Sequence, residues 1–211
     1  MDKMIRRAYL DILEEELIPA MGCTEPIAVA YAGALARQTL GALPEAVELT
    51  VSGNIIKNVK SVIVPHTGGR KGLRTAVAAG ILFGDADRQL EVLSDAGEEE
   101  LARLDGYLTD LRFTLERSDA PFPFDLQVRA AAGRDNAYVR IVGHHTNVVS
   151  VRRNDTILVD RAFSDERTQT PENRSLLTVE EIVRFADEAD VNDLRPVLGR
   201  QIELNMEIAR E

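Results

Sequence analysis

The segment from Glu25 to Leu40, EPIAVAYAGALARQTL, constrains this chain more than any other feature. Read as a helix, it is apolar nearly all round. A helix at a protein surface keeps a polar face, so one that lacks it has to be covered on several sides. Gly41 ends it. A chain of 211 residues is long enough to build that cover, as one domain or one and a half.

The residues ahead of this helix, Gly22-Cys23-Thr24-Glu25-Pro26, read as its start. Thr24 suits the cap, Glu25 suits the positive end of the macrodipole, and Pro26 fits a first turn whose N–H groups have no helical partner. Cys23 is the one cysteine in the sequence. A thiol before a helix N-terminus is placed where thiolate, the nucleophilic and metal-binding form, is favoured. Glu25 opposes that ionisation. The residues leave three readings open: a nucleophile, one ligand of a metal centre, or a small buried apolar group.

Around the apolar helix the pattern alternates between helix and strand. Ile5, Tyr9, Ile12, Leu13 and Leu17 fall at helical spacing over 5–18. Val47, Leu49 and Val51 alternate over a strand at 46–52. Residues 54–59 are ambiguous, 61–65 read as a short buried strand or extended segment, 67–72 as a loop, and 73–82 as an alanine-rich helix. A surface helix at 98–108 precedes strands at 111–116, 124–131, 137–142 and 147–152, with hairpin turns at 133–136 and 153–155. Thr178 and Glu181 form a capping box for a helix to about Ala189, and 192–211 reads as one further helix. No Gly, Asn or Pro closes that last helix, which reads as the front part of a longer polypeptide.

Together these elements predict an α+β fold, a mixed or antiparallel sheet with helices. The expected division is a helical segment at 1–43, an inserted α/β domain at 44–162, a polar linker at 163–175 and a truncated helical segment at 176–211. The two helical segments would belong to one all-α catalytic domain, and their unpaired apolar faces predict a homodimer.

Charge and composition exclude several functions. A formal net charge of −10 argues against nonspecific nucleic-acid binding, which needs clustered cations. No apolar run reaches the ~20 residues that span a bilayer, and the N-terminus carries no signal-peptide core. These features predict a cytoplasmic protein without a nucleic-acid or membrane partner.

Three further segments can carry chemistry. Ser52-Gly53-Asn54 sits at a strand end, where small polar groups bind a carboxylate or amine or simply make a turn. Pro65-His66-Thr67-Gly68-Gly69-Arg70-Lys71-Gly72 offers backbone N–H groups and two cations to an anion, without the Walker A spacing. In Gly143-His144-His145-Thr146-Asn147, adjacent histidines in a strand point to opposite faces and do not chelate one metal.

The ordered set of GCTEPIA, SGNIIKNV, PHTGGRKG and the short HTN run resembles the L-cysteine desulfidase family, also described as serine dehydratase alpha-subunit-like or UPF0597. The resemblance covers most of the chain, as the N-terminal portion of such a protein. It implies a 4Fe–4S lyase that eliminates hydrogen sulfide from L-cysteine, or water from L-serine, leaving pyruvate and ammonia. On the matching positions, Cys23 would be a cluster ligand or an active-site thiol. Ser52, Asn54, Lys57, Thr67, Gly68, Gly69, His145, Thr146 and Asn147 would bind the small amino-acid substrate. Here His66 stands where the family pattern leads one to expect a smaller polar residue such as Asn. The other cluster cysteines of such enzymes lie in a later region, so no cluster is expected in these 211 residues alone. The competing readings are a cluster-free enzyme with Cys23 as nucleophile and a non-catalytic small-molecule binding module.

Overall fold

A computed structural model describes residues 2–17, 19–20, 22–94, 97–163 and 172–210. The chain is α+β and divides into two compact units, residues 20–163 and residues 1–19 with 164–211.

The larger unit is built on a six-stranded mixed sheet. Its strands are β1 (Ala46–Val51), β2 (Arg112–Arg117), β3 (Asp125–Ala132), β4 (Asp135–Val142), β5 (Val148–Arg153) and β6 (Thr156–Asp160), in the spatial order β2-β1-β3-β4-β5-β6. β1 and β2 are parallel and all other pairs are antiparallel. Parallel neighbours need a crossover, supplied here by α3 (Gly53–Val59), α4 (Leu73–Phe83) and α5 (Glu98–Asp110). Alternation sets the register: Val47, Leu49 and Val51 stand opposite Ala130, Val128 and Leu126, which in turn face Ala137, Val139 and Ile141. All of them are buried on one face.

Helix α2 (Thr24–Leu40) lies in that core, with Ile27 to Ala30, Ala32, Ala34 and Ala36 wholly buried, as its missing polar face demands. Two glycines allow α4 to approach it. A Cβ on Gly80 would lie 1.9 Å from the Ala30 carbonyl oxygen, and one on Gly33 would lie 2.6 Å from that of Val77. The division at residue 20 puts α2 with the sheet, so the contacts break the chain after Pro19 and not near Leu43.

The smaller unit contains α1 (Lys3–Glu16), α6 (Val179–Glu188), α7 (Val191–Leu194) and α8 (Arg200–Ile208). Tyr9 stacks on Phe185 at 4.9 Å and donates to the Leu176 carbonyl, while Thr178 caps α6 by accepting from Glu181 N–H. Met4, Val179, Val183, Val191 and Ile202 remain more than half exposed. Most of the expected linker, residues 164–171, lies outside the described residues.

Four local readings are settled or corrected. Residues 53–59 form a helix, with Ile55 and Val59 buried one turn apart. Residues 61–65 form no strand; a single bridge joins Ile63 to Lys71. The continuous helix expected over 192–211 is interrupted by a wide π turn at Arg195–Gly199, where Pro196 has no N–H to give the regular ladder. Residues 156–160, unassigned in the sequence, pair as the edge strand β6.

Candidate functional site

The start of α2 places a carboxylate among side chains from three segments. Cys23 occupies the N-cap position in extended geometry, and its side chain makes no capping bond. Its Sγ instead donates to Glu25 Oε2 at 3.3 Å. Asn58 Nδ2, on α3, donates to the other carboxylate oxygen at 3.0 Å. Thr24, expected to cap the helix, turns its hydroxyl to Glu25 Oε2 at 3.4 Å. The charge of Glu25 also acts on His145, in the turn between β4 and β5.

These contacts tune the groups in different directions. Burial raises the Cys23 thiol above its ordinary value, and the hydrogen bond to Glu25 raises it further, against a backbone N–H that lowers it. The thiol therefore stays protonated at neutral pH, and the thiolate expected from the helix-start position is not the resting form. Glu25 also feels burial, which would raise it. The bonds from Cys23, its own backbone N–H and Asn58, with His145 when that ring is protonated, outweigh that and hold its carboxyl below the usual range. Burial lowers His145, partly countered by Glu25, so its imidazole is neutral at pH 7. Its Nε2 is shielded from water and has no hydrogen-bond partner, and its ring meets Phe124 edge-on at 4.7 Å. The set combines a protonated thiol, an ionised carboxylate and a neutral imidazole, groups suited to moving protons in both directions.

The segments singled out in the sequence converge on this point unequally. Gly22, at φ 114°, brings the loop before α2 beside Pro65, since a Cβ there would sit 3.6 Å from the Pro65 ring. Thr67, two residues further on, is wholly buried and donates to the Val64 carbonyl at 2.7 Å, so its hydroxyl fastens the loop. Gly68 and Gly69 are exposed in left-handed conformation. Arg70, expected to offer charge to an anion, is engaged by both carboxylate oxygens of Asp105 at 2.7 Å. His66 also has positive φ, 55°, a conformation favoured by Asn and tolerated by His.

Ser52 sits at the N-cap of α3 and donates to the Pro123 carbonyl at 2.8 Å. Asn54 and Lys57 are exposed on α3, and Asn54 lies one turn from Asn58 on the same face. His144 and His145 are not in a strand. β4 ends at Val142, and Gly143, at φ 79°, turns the chain, so the strand rule for opposite faces does not apply to them. Asn147 donates its side-chain amide to the Val142 carbonyl at 2.8 Å and closes the turn, while Thr146 accepts from Val148 N–H through its carbonyl. Glu25 and Asn58 are the two members that residue-by-residue reading passed over as site groups. Both lie inside the quoted motifs, which is where a signal for them existed.

A four-iron cluster does not fit the residues present. Such clusters take several thiolates, and the sequence holds one cysteine. Its proton is engaged by Glu25, and among the described residues no group of three His, Cys, Asp or Glu side chains can hold a metal. Among the described residues no helix is long and apolar enough to cross a membrane.

No family model matches the chain. A UPF0597 protein of Desulfitobacterium hafniense (strain Y51) is 42% identical over 204 residues, covering 97% of this chain and 47% of that protein. One from Treponema denticola is 39% identical over 212 residues, 100% of this chain and 49% of the relative. One from Lachnoclostridium phytofermentans is 38% identical over 205 residues, 97% and 49% of the two chains. The chain spans about half the length of the curated relatives it matches.

Proposed function

The chain belongs to the UPF0597 family, and we propose that this region forms the amino-acid-binding side of a lyase that removes the β-substituent of a small amino acid. The proposed substrate is L-cysteine or its oxygen analogue L-serine. The observation that carries the reading is Glu25, held by Cys23 and Asn58 beside a neutral His145 whose Nε2 has no partner. The motif resemblance to L-cysteine desulfidases points the same way.

In the proposed reaction the neutral His145 takes the α-proton. The electron pair left on Cα forms the Cα=Cβ bond, and the Cβ–S bond breaks with its pair on sulfur. The Cys23 thiol, kept protonated and oriented by Glu25, supplies the proton to the departing sulfide, and the proton taken up by His145 then returns to the Cys23 thiolate to reset the site. The aminoacrylate then tautomerises and adds water, giving pyruvate and ammonia. The exposed amides of Asn54 and Asn58 and the ammonium of Lys57 bind the substrate's charged groups. Thr67, Gly68, Gly69, Thr146 and Asn147 shape the loops around them. A nucleophilic Cys23 is disfavoured, because the groups around it raise rather than lower its pKa.

The proposal assigns a 4Fe–4S cluster to the full-length enzyme and none to the 211-residue chain. It also assigns a homodimer, supported by the exposed apolar side chains of the smaller unit. Anaerobic reconstitution followed by iron and sulfide analysis tests the first; about four irons per 211-residue chain would overturn it. The activity is tested on a full-length UPF0597 protein carrying this region, by measuring pyruvate and sulfide from L-cysteine without oxygen. Glu25→Gln and His145→Ala should each lower kcat by about 100-fold or more. Undiminished turnover in both would refute the site.

A further inference from the structure

The sheet has a second face, turned away from α2. Residues directly opposite one another across antiparallel strands share a face. Gln127, Arg140, Ser150 and Asp160 therefore stand in one row, and Arg129, Tyr138 and Arg152 in the next. On a chain of net charge −10, this face gathers arginines and aromatic rings.

At the β4–β6 end of the face lies a cavity of about 320 Å³, walled by Arg140, Arg152, Arg161, Tyr138, Phe122 and Phe163, with Ser150 also lining it. The groups divide by what already holds them. Arg140 is committed to Asp125, a wholly buried carboxylate 2.8 Å away, so its charge is balanced from behind. The Arg152 guanidinium lies over the Tyr138 ring at 5.8 Å. Among the described residues neither Arg152 nor Arg161 has a carboxylate within ion-pair distance. Asp160 is the one carboxylate in the lining, and the arginines outnumber it. Ser150 is 6% exposed, and its hydroxyl, sealed from water, has no hydrogen-bond partner. A buried donor without a partner is costly and rare, and it calls for an acceptor. Phe122 and Phe163 pack edge to face at 4.8 Å and give the cavity an apolar wall.

From these observations we infer that this cavity binds a small organic anion, a carboxylate or phosphate monoester with a flat or apolar body. Its charged head meets Arg152, Arg161 and the Ser150 hydroxyl, and its body lies against Phe122 and Phe163. The site is independent of the Glu25 cluster and of the lyase reading. A nucleic-acid strand fits less well, because Glu48, Thr114 and Asp160 interrupt the cations along the same face.

Calorimetric titration of the 211-residue chain with phenyl phosphate, benzoate, inorganic phosphate and a single-stranded oligonucleotide tests the inference. Phenyl phosphate or benzoate should bind with Kd below about 1 mM at low salt, and more weakly as salt screens the arginines. Their relative affinities identify the head group, and inorganic phosphate should bind at least about tenfold more weakly because it lacks the body. Arg152→Ala with Arg161→Ala should weaken binding about tenfold or more, and Ser150→Ala about threefold, with the circular-dichroism melt unchanged. The arginines are exposed, and Arg161→Gln alone, expected to lose about threefold, covers the case in which the double variant fails to fold. No binding of either aromatic anion at about 10 mM would overturn the site, as would affinities indifferent to these substitutions. Tighter binding of the oligonucleotide, lost in the same variants, would overturn the small-molecule assignment.

Discussion

Gly80→Ala tests the central packing of the fold. The new Cβ would lie 1.9 Å from the Ala30 oxygen, 2.5 Å from its carbonyl carbon and 2.7 Å from its Cα, all main-chain atoms that no rotamer change can move. Carbon contacts below 3.0 Å are essentially never tolerated, so α2 and α4 must separate by about 1.1 Å, the gap from 1.9 to 3.0 Å. A radial gap of ~0.5–1 Å already forfeits a quarter to a half of a van der Waals well. Side chains from Ile27 to Leu40 and from Leu73 to Ile81 share that seam. Overpacking with off-rotamer side chains and backbone shifts costs typically ~1–3 kcal/mol, and a clash with main-chain atoms falls at the upper end, whereas replacing helical Gly by Ala gains ~1 kcal/mol in propensity. The expected net loss is ~2 kcal/mol. At ~2–4 °C per kcal/mol for a domain of this size, Tm should fall by ~4–8 °C in a calorimetric scan. Gly106→Ala is the control: it lies exposed in α5, with nothing within 4 Å of the added Cβ, and should raise Tm by ~2–4 °C. A Gly80→Ala melt within ~2 °C of the parent, alongside a normal Gly106→Ala, would refute the close crossing.

Other consequences follow from the charged groups. Cys23 should react slowly with iodoacetamide at pH 7, and Glu25→Gln, which removes one cause of its raised pKa, should move the rate profile to lower pH; an unmoved profile would separate the two side chains. His145 is lowered in the fold from its ordinary 6.5. As pH falls below that value the unfolded chain takes the proton first, so stability should decline until the folded pKa is reached. His145→Gln should flatten that part of a Tm–pH curve, and an unchanged slope would count against the assignment. Glu25 acts in the same direction at lower pH. Its stabilisation is present above its ordinary 4.5 and disappears as pH falls through its depressed folded value. Asp125 is wholly buried and accepts from Arg140 at 2.8 Å and Gln127 at 2.9 Å, and also from Ser118. Asp125→Ala strands those donors and should cost ~3 kcal/mol or more by denaturant titration; a loss under ~1 kcal/mol would refute that network. Light scattering on a size-exclusion column should give twice the 23.3 kDa chain mass if the exposed apolar side chains of the smaller unit pair two copies.

How much could be read in advance depended on whether a residue's partner was near in sequence. The burial of α2 was legible because it needs no partner's identity, only the absence of a polar face. β1 was legible because one face is buried and Val47, Leu49 and Val51 alternate without interruption. β6 shows neither property. Ile157 and Leu158 are adjacent and both more than half exposed, so an edge strand left no period to detect. Residues 61–65 have strand composition, but Pro65 cannot donate to a ladder and the Thr67 hydroxyl takes the Val64 carbonyl, leaving one bridge. His145 escaped for a similar reason: the opposite-faces rule holds only within a strand, and the positive φ of Gly143 puts both histidines in a turn beyond the end of β4. The site divides along the same line. Sequence could weigh Glu25 against Cys23, two residues apart, and it correctly set the carboxylate against thiolate formation. It could not weigh Asn58, 33 residues away, or the field of His145, because nothing local states that α3 and the β4–β5 turn meet the start of α2. Those contacts turn Glu25 from a helix-dipole residue into an ionised carboxylate with its own hydrogen-bond donors. They also change what the lone cysteine means. Its proton is held by that carboxylate, which supports the proposed proton-transfer role over a nucleophilic sulfur.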